Sequence, residues 1–513
     1  MDALVRSLLE PAAYAHPVQG VRLLETHISW VFLTGPYAYK VKKPVCFGFV
    51  DFSTTERRRH CCHEELRLNR RLAPDLYLDV ITIHGPAERA RLHGEGPPLD
   101  AAVQMRQFRQ EDLLPEALAR QAVAPELIDD LARDLARFHA GAASAPPEAP
   151  WGRPERVLEP LLANFEALER CDRRMPQHRE LHDWMLAEHL RLQPLLEQRR
   201  LGGRIRECHG DLHLGNMVLL NGRITVFDGI EFSEALRWID PISDLAFLLM
   251  DLRHRRRNDL GARLLQEWLD WNGDHAGLPL LPWYQAYRAL VRAKVAGLRL
   301  SQPSLQPAEA KALERDLAAY VHQASEVMRP RRPALLVTHG VSGCGKSHAA
   351  SLLRSRGWLH LRSDVERLRL FGRWGVRPEA RPPAAEPYAE MVSSHLYDTV
   401  LAGAAAAALD AGEAVVVDAT FLRRDQRQRF RALARQAGAG FGILAPEVSP
   451  GEARRRIAAR RLAGGDPSQA DDAVLTEQLQ RIEPLTPEER GWLVAGVDDT
   501  RLRLPGSHLP VPG

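Results

Sequence analysis

Lysine is the chain's first scarcity: six of the 69 basic residues in 513 are lysine, at positions 40, 42, 43, 294, 311 and 346. Four of the six fall in two short stretches, KVKK at 40–43 and GCGKS at 343–347. Cysteine is as rare, with six residues and no paired spacing, which excludes a disulfide framework and points to a reducing cytosol. His60-Cys61-Cys62-His63 is a contiguous run, and neighbouring residues on a helix cannot all face one tetrahedral ion, so no zinc site is expected there. Long apolar runs are missing too. A segment such as Leu245–Met250 is far short of the ~20 residues that cross a bilayer. Met1–Tyr14 contains acidic residues and no long apolar core, so it does not read as a signal peptide. The net charge of +3 is close to neutral and argues neither for nor against a polyanionic partner. The expectation is a cytoplasmic protein without a membrane partner. Its 45% hydrophobic and 26% charged residues are ordinary for globular domains, and its length calls for two or three of them.

The most informative stretch is HGDLHLGNMVLLNGRITVFDGIE, His209–Glu231. Asp211 and Asn216 keep the D-x-x-x-x-N spacing of a kinase catalytic loop, and Asp228 follows twelve residues after the Asn. Two apolar runs, Met217–Leu220 and Ile224–Phe227, flank Asn221-Gly222, the strongest short signal for a two-residue hairpin. Such a hairpin returns Asp228 to the side of Asn216. One carboxylate then orients a hydroxyl, while the Asn and the second carboxylate suit Mg²⁺ on nucleoside triphosphate oxygens.

Upstream, His27–Leu33 and Tyr37–Val45 read as strands joined by Thr34-Gly35-Pro36. Period-two alternation puts Lys40 and Lys42 on one face, where a kinase fold keeps a phosphate-binding lysine. Its Glu partner belongs on the next helix, Thr55–Leu72, which offers Glu64 and Glu65; Glu65 is favoured. Val80–Ile83 and Ala101–Phe108 continue the strands. From about Leu113 the pattern turns helical, including Pro125–Ala140 with apolar residues at Ile128, Leu131, Leu135 and Phe138. His139, at the end of that run, reads as a packed or capping residue. Asp244 opens the apolar segment Leu245–Met250, which suits an N-cap and a supporting rather than chemical role.

His209–Asn216, Asp228 and Asp240–Asp244 resemble the aminoglycoside phosphotransferase family over roughly residues 20–325. KVKKPV, FVDFST and LNRRLAPDLY are similar to a bacterial subgroup of it that is often fused to a second kinase. The resemblance implies a bilobal α+β protein-kinase-like fold, ATP and Mg²⁺, Asp211 as catalytic base, Asn216 and Asp228 on metal, and Lys40 or Lys42 on phosphate. One departure stands out. No G-x-G-x-x-G loop joins the first two strands, and only Gly35 sits in that turn.

Arg329–Pro333 is a Pro/Arg linker at which helix must stop. The apolar strand Ala334–Thr338 follows, then Gly340–Ser347, GVSGCGKS, which fits G-x-x-x-x-G-K-[ST] in full before a helix-forming segment. Backbone N–H groups of Gly340, Gly343, Cys344, Gly345 and His348 suit phosphate oxygens, Lys346 reaches further ones, and the Ser347 hydroxyl suits Mg²⁺. Two further strands end at Asp364, with Arg367 three residues on, and at Asp418. In parallel sheets both strand ends face the ligand, so one Asp takes a hydroxyl proton and the other orders Mg²⁺. Arg456 and Arg460 share a helix face at i, i+4, as in a lid over the triphosphate.

This set resembles the polynucleotide 5′-kinase, gluconate kinase and zeta-toxin group over about residues 331–490. That resemblance implies Asp364 as base and Arg367 as a substrate contact. The expected organisation is a kinase-like domain at 1–328 (N-lobe about 20–110, C-lobe about 111–328), a linker at 329–333, and an α/β P-loop domain with a parallel sheet at 334–513. The expected function is an ATP-dependent, bifunctional phosphotransferase acting on hydroxyls of small-molecule or nucleotide acceptors; no stacking face singles out nucleic acid. In the alternative, prompted by the missing glycine loop, the first domain senses nucleotide and only the P-loop domain is a kinase or ATPase. Acceptor choice is expected in loops around Ala142–Arg200 and Phe371–Pro387.

Overall fold

A computed structural model of the chain describes residues 3–47, 50–171, 178–301, 305–329, 331–376, 386–463, 467–468, 470 and 471–494. The chain forms two compact units, one from 1–127, 141–157 and 196–248, the other from 128–140, 158–195 and 249–513. Parts of both segments expected to choose the acceptor, at 172–177 and 377–385, lie outside the described residues.

In the first unit, β1 (Arg22–Glu25), β2 (Ser29–Leu33), β3 (Tyr37–Lys42), β4 (Tyr77–His84), β5 (Arg91–Leu92) and β6 (Pro98–Arg106) form an antiparallel sheet in the order β1-β2-β3-β6-β4-β5. Alternation along β3 sorts its side chains. Tyr39 and Val41 enter an apolar cluster with Phe32, Ile81 and Ala102. Ala38 joins the other face, which packs Cys62 of helix α1 (Thr55–Asn69). Lys40 and Lys42 share that α1 face, one and two pleats along. Thr54 caps α1 by accepting the Arg57 N–H at 3.3 Å, which fixes where the helix starts and so where Glu65 points. The edge strand β1 escapes the sequence reading because its pattern, exposed at both ends, has no buried alternation.

The hairpin is formed by β7 (Met217–Leu220) and β8 (Arg223–Val226), paired Met217 to Val226 through Leu220 to Arg223. Asn221 and Gly222 have φ of +50° and +75°, the double left-handed turn that Asn-Gly favours. Helix α5 starts at Pro241 and runs to His254. The expected N-cap role of Asp244 is not what the structure shows. Proline at the first helical position sets the start one turn earlier, and Asp240 Oδ1 accepts the Ile242 N–H at 2.9 Å. Asp244 is thereby left for a different task.

In the second unit, β9 (Ala334–Thr338), β10 (Leu359–Arg362), β11 (Ala414–Asp418) and β12 (Gly440–Leu444) make a wholly parallel sheet ordered β10-β11-β9-β12. Its central strand β9 is buried throughout, as a near-continuous apolar run should be. Helices α9 (Lys346–Arg354), α10 (Ser363–Leu370) and α13 (Pro450–Ala463) bring motif residues to the carboxyl ends of the strands. The unit also contains α6 (Asn258–Asn272), which ends at Gly273 with φ +73°. Its last carbonyls are met by the Arg369 guanidinium (2.7 Å to Asp270 O), Trp374 Nε1 (2.8 Å to Asp270 O) and the Val376 N–H (3.0 Å to Trp271 O). These donors satisfy the carbonyls that a helix end leaves open. His139 accepts from Trp268 Nε1 at 3.1 Å in full burial, so it is a packed histidine. Among the described residues, no helix is long and apolar enough to cross a membrane.

Candidate functional site

The His209–Asn216 stretch is braced at its start. Asp244 accepts from the backbone N–H groups of His209 (2.9 Å) and Gly210 (3.0 Å). The His209 ring, whose basicity burial depresses against the pull of nearby carboxylates, bonds Phe227 O at 2.9 Å. This ties the loop to the strand that leads to Asp228. Asn216 donates to Asp211 twice, to the backbone oxygen at 3.0 Å and to Oδ2 at 2.9 Å, which leaves its own carbonyl oxygen as a hard donor. His213 Nε2 lies 3.4 Å from the same Asp211 Oδ2.

Asp228 has φ +63°, rare for a residue with a side chain. Two side chains hold that conformation: Tyr77 Oη accepts the Asp228 N–H at 3.1 Å, and Asn69 Oδ1 accepts the Gly229 N–H at 2.7 Å. The Asp228 carboxylate accepts from Lys40 Nζ, which also donates to Glu65 Oε1 at 2.9 Å. Burial works against the charge on Lys40, but Asp228 and Glu65 more than offset it and hold its pKa well above the usual lysine value. Lys42 is fully buried and bridges Glu65 and Glu231. Burial pushes the Glu231 carboxyl up, whereas Glu65, flanked by both lysines, is held low despite its burial. Lys40, Lys42, Glu65 and Asp228 thus meet in one network. Lys40 stands at the rim and Lys42 beneath it.

An open cavity of about 650 Å³ is lined by Arg22, Leu33, Gly35, Phe108 and Gln110. The Gly35 N–H, in the turn where a glycine-rich loop would lie, donates to Gln107 Oε1 at 2.9 Å.

In the second unit, Gly340, Gly343 and Gly345 have φ of +135°, +81° and +103°. A Cβ on Gly343 would meet Ala453 O at 2.6 Å, so the loop can lie against α13 only as glycine. Lys346 Nζ donates to Val341 O at 2.7 Å and lies 3.8 Å from Cys344 Sγ. Ser347 and His348 are exposed at the start of α9. A cavity of about 300 Å³ brings Lys346, Ser347, Asp364, Arg367, Asp418 and Arg460 together. Arg456 also lines it, 3.6 Å from where a Cβ on Gly345 would stand, and is paired with Glu452 at 2.9 Å.

Asp418 is buried, and hydrogen bonds from His360 (3.1 Å) and Ser347 hold its carboxyl below the usual aspartate value against that burial. A buried carboxylate beside a serine hydroxyl and a glycine-opened anion cradle fits Mg²⁺ carried on phosphate. Arg367 donates to Pro387 O and stacks over Tyr388 at 4.7 Å. Tyr397, in a π-helical turn over Leu396–Leu401, accepts from the N–H groups of Thr420 (3.1 Å) and Phe421 (3.3 Å), fixing the strand end after Asp418.

Sequence reasoning missed Glu231, Tyr77, Asn69, His360 and Tyr397. Glu231 was within reach, three residues after Asp228 in DGIE. The others act across 23 to 160 positions of chain, and no local pattern marks them.

Residues 51–281 match the phosphotransferase enzyme family, and residues 335–485 match an AAA domain. Uncharacterized proteins of Mycobacterium tuberculosis and Mycobacterium bovis are 32% identical over 352 residues. Those matches cover 66% of this chain, which in turn spans 66% of each relative's length. Solved structures with similar chains include a choline/ethanolamine kinase family protein from Mesorhizobium loti (14% identity, 64% of this chain and 94% of that one, TM-score 0.40). Another is the GDP complex of aminoglycoside 2′-phosphotransferase-IIIa (16% identity, 61% and 94%, TM-score 0.39).

Proposed function

From a chain whose residues 51–281 belong to the phosphotransferase enzyme family and whose residues 335–485 are an AAA domain of the P-loop type, we propose an ATP-dependent phosphotransferase with two separate centres, each moving a γ-phosphate to an acceptor hydroxyl. One observation carries this reading: each unit gathers a lysine, a candidate base and a candidate metal-binding carboxylate, and in the second unit these line one cavity.

In the first centre, Asp211 orients the acceptor hydroxyl and takes its proton, and Asn216 restrains the Asp211 carboxylate by its amide. Lys40 holds phosphate oxygens, with Glu65 fixing its direction and Lys42 serving from below. In the second, the loop from Gly340 to His348 binds the triphosphate through backbone N–H groups, and Lys346 turns from Val341 O to the transferring phosphate. Asp364 accepts the hydroxyl proton, Arg367 holds the acceptor, and Arg456 and Arg460 offset charge from the α13 side. Asn216 and Asp228 in one centre, and Ser347 and Asp418 in the other, would hold Mg²⁺, which when bound would neutralise triphosphate charge. Absence of disulfides among the described cysteines supports a cytoplasmic location.

Two observations favour a second reading, in which the first centre senses nucleotide without turning it over. The Gly35 N–H is spent on Gln107 rather than turned toward phosphate, and Lys40 is clasped by Asp228 itself. A screen of small hydroxyl compounds, nucleotides and oligonucleotides with γ-labelled ATP on the full chain separates the two. Under the two-centre reading, Asp211→Asn and Lys346→Ala each remove a different labelled product. Should Asp211→Asn leave every product in place while nucleotide still binds the first unit, the sensing reading stands instead.

A further inference from the structure

Helix α6 lies within the stretch that matches the phosphotransferase enzyme family, yet one of its side chains pairs with the edge of the P-loop sheet. Strand β10 is an edge strand, and an edge leaves one row of N–H and C=O groups without a strand partner. Gln266 on α6 supplies both partners for His360. Its Oε1 accepts the His360 N–H at 2.7 Å, and its Nε2 donates to His360 O at 3.0 Å. The same Nε2 donates to Asp270 Oδ1 at 2.8 Å, which fixes which end of the amide faces which backbone group. Gln266 therefore stands in for one residue of a neighbouring strand. From the residue so held, the ring Nε2 reaches Asp418 Oδ2 at 3.1 Å on the adjacent strand. Gln266 and His360 are 3% and 5% exposed, so water does not compete for these bonds.

A second fastening acts on α10, which carries Asp364 and Arg367. Glu366, between them in sequence, accepts from His275 at 3.3 Å and from Arg369 at 3.1 Å, and Arg369 in turn caps α6.

We infer that Gln266 is a positioning residue of the P-loop centre: through His360 it sets the direction of Asp418 and hence the strength with which that centre holds a divalent cation. A helix of the phosphotransferase-family domain is thus part of the second centre's build. This rests on the proposed metal role of Asp418.

The test is calorimetric titration of the full chain with ATP, with Mg²⁺ or with EDTA, taking as the P-loop component the binding that Lys346→Ala removes. In Gln266→Leu, the tightening that Mg²⁺ gives this component falls on the order of 10- to 100-fold, the usual effect of removing a support behind a metal ligand. Binding in EDTA stays at the value of the unaltered chain, while the thermal unfolding midpoint falls because the His360 N–H and C=O lose their buried partners. His360→Leu repeats the loss, and His360→Gln, which keeps a donor toward Asp418, restores most of the tightening. Full Mg²⁺ tightening in both Gln266→Leu and His360→Leu overturns the inference. So does an equal fall in EDTA binding, since that marks a packing residue. Absence of any Lys346-dependent binding in the unaltered chain is a different failure, visible without these variants, and removes the proposed function along with the inference.

Discussion

Lys40 and Lys42 lie on one face of one strand and share Glu65, yet their exposures separate them: the Lys42 side chain is 0% accessible and that of Lys40 is 12%. Removing Lys42 leaves Glu65 and Glu231 buried without their shared cation, a change that costs about 3–5 kcal/mol. Lys42→Met should therefore lower the unfolding midpoint steeply, whereas Lys40→Met, whose partner Asp228 is 40% accessible, should weaken nucleotide binding at the first centre with much less loss of stability. Equal destabilisation by the two variants contradicts this division. Glu366 gives a pH prediction. Burial acts to raise its pKa, but His275 and Arg369 lower it from 4.5 to about 2. A depressed carboxyl contributes stability that is complete above its unfolded value and is lost as pH falls toward the folded one. Denaturant titrations between pH 5 and pH 2 should show a loss on the order of 3 kcal/mol that Glu366→Gln does not show. The period-two pattern made the lysines legible, and the helix that follows narrowed their partner to Glu64 or Glu65. It had no means of reaching Tyr77 or His360, whose partners lie 151 and 58 residues away.

At the scale of elements, the Asn221-Gly222 hairpin was legible because two residues with positive φ are a local demand that few sequences meet. The acceptance of two loop amides by Asp244 was not, because a carboxylate in a first helical turn looks the same whether it caps its own helix or braces another segment. Local chemistry also underestimates glycine. Gly222 and Gly273 have nearly equal φ, +75° and +73°, but a Cβ at 222 meets open space and one at 273 meets Arg369 Nε at 2.7 Å. Gly222→Ala should cost about 1 kcal/mol from backbone strain alone. Gly273→Ala should cost about 2–3 kcal/mol, because it also displaces the guanidinium that caps α6. Equal costs in chemical denaturation would show that Arg369 moves aside freely.

For the whole molecule, the length called for two or three domains and two motifs stood out, but a Pro/Arg segment read as a simple tether is more than that. Arg331 in that segment donates to Ala411 O at 2.6 Å, and the end of α6 is capped from residues 369–376. Patterning within each domain carries no signal for such docking, since a buried Gln or Arg reads as surface until its partner is known. A protease site inserted at 329–333 should leave two pieces that co-elute on size exclusion after cleavage, and their separation would show that the docking contributes little.

The amide of Gln266 has a consequence for the history of such a chain. An uncovered edge strand invites a strand from another molecule, and repeated pairing of that kind ends in polymer. Gene fission between the two domains would take Gln266 from His360 and open that edge further. Each half could keep its own nucleotide motif intact and still be poorly fit to live alone. Selection against polymerisation, independent of any catalytic advantage, is then sufficient to keep the two halves on one polypeptide.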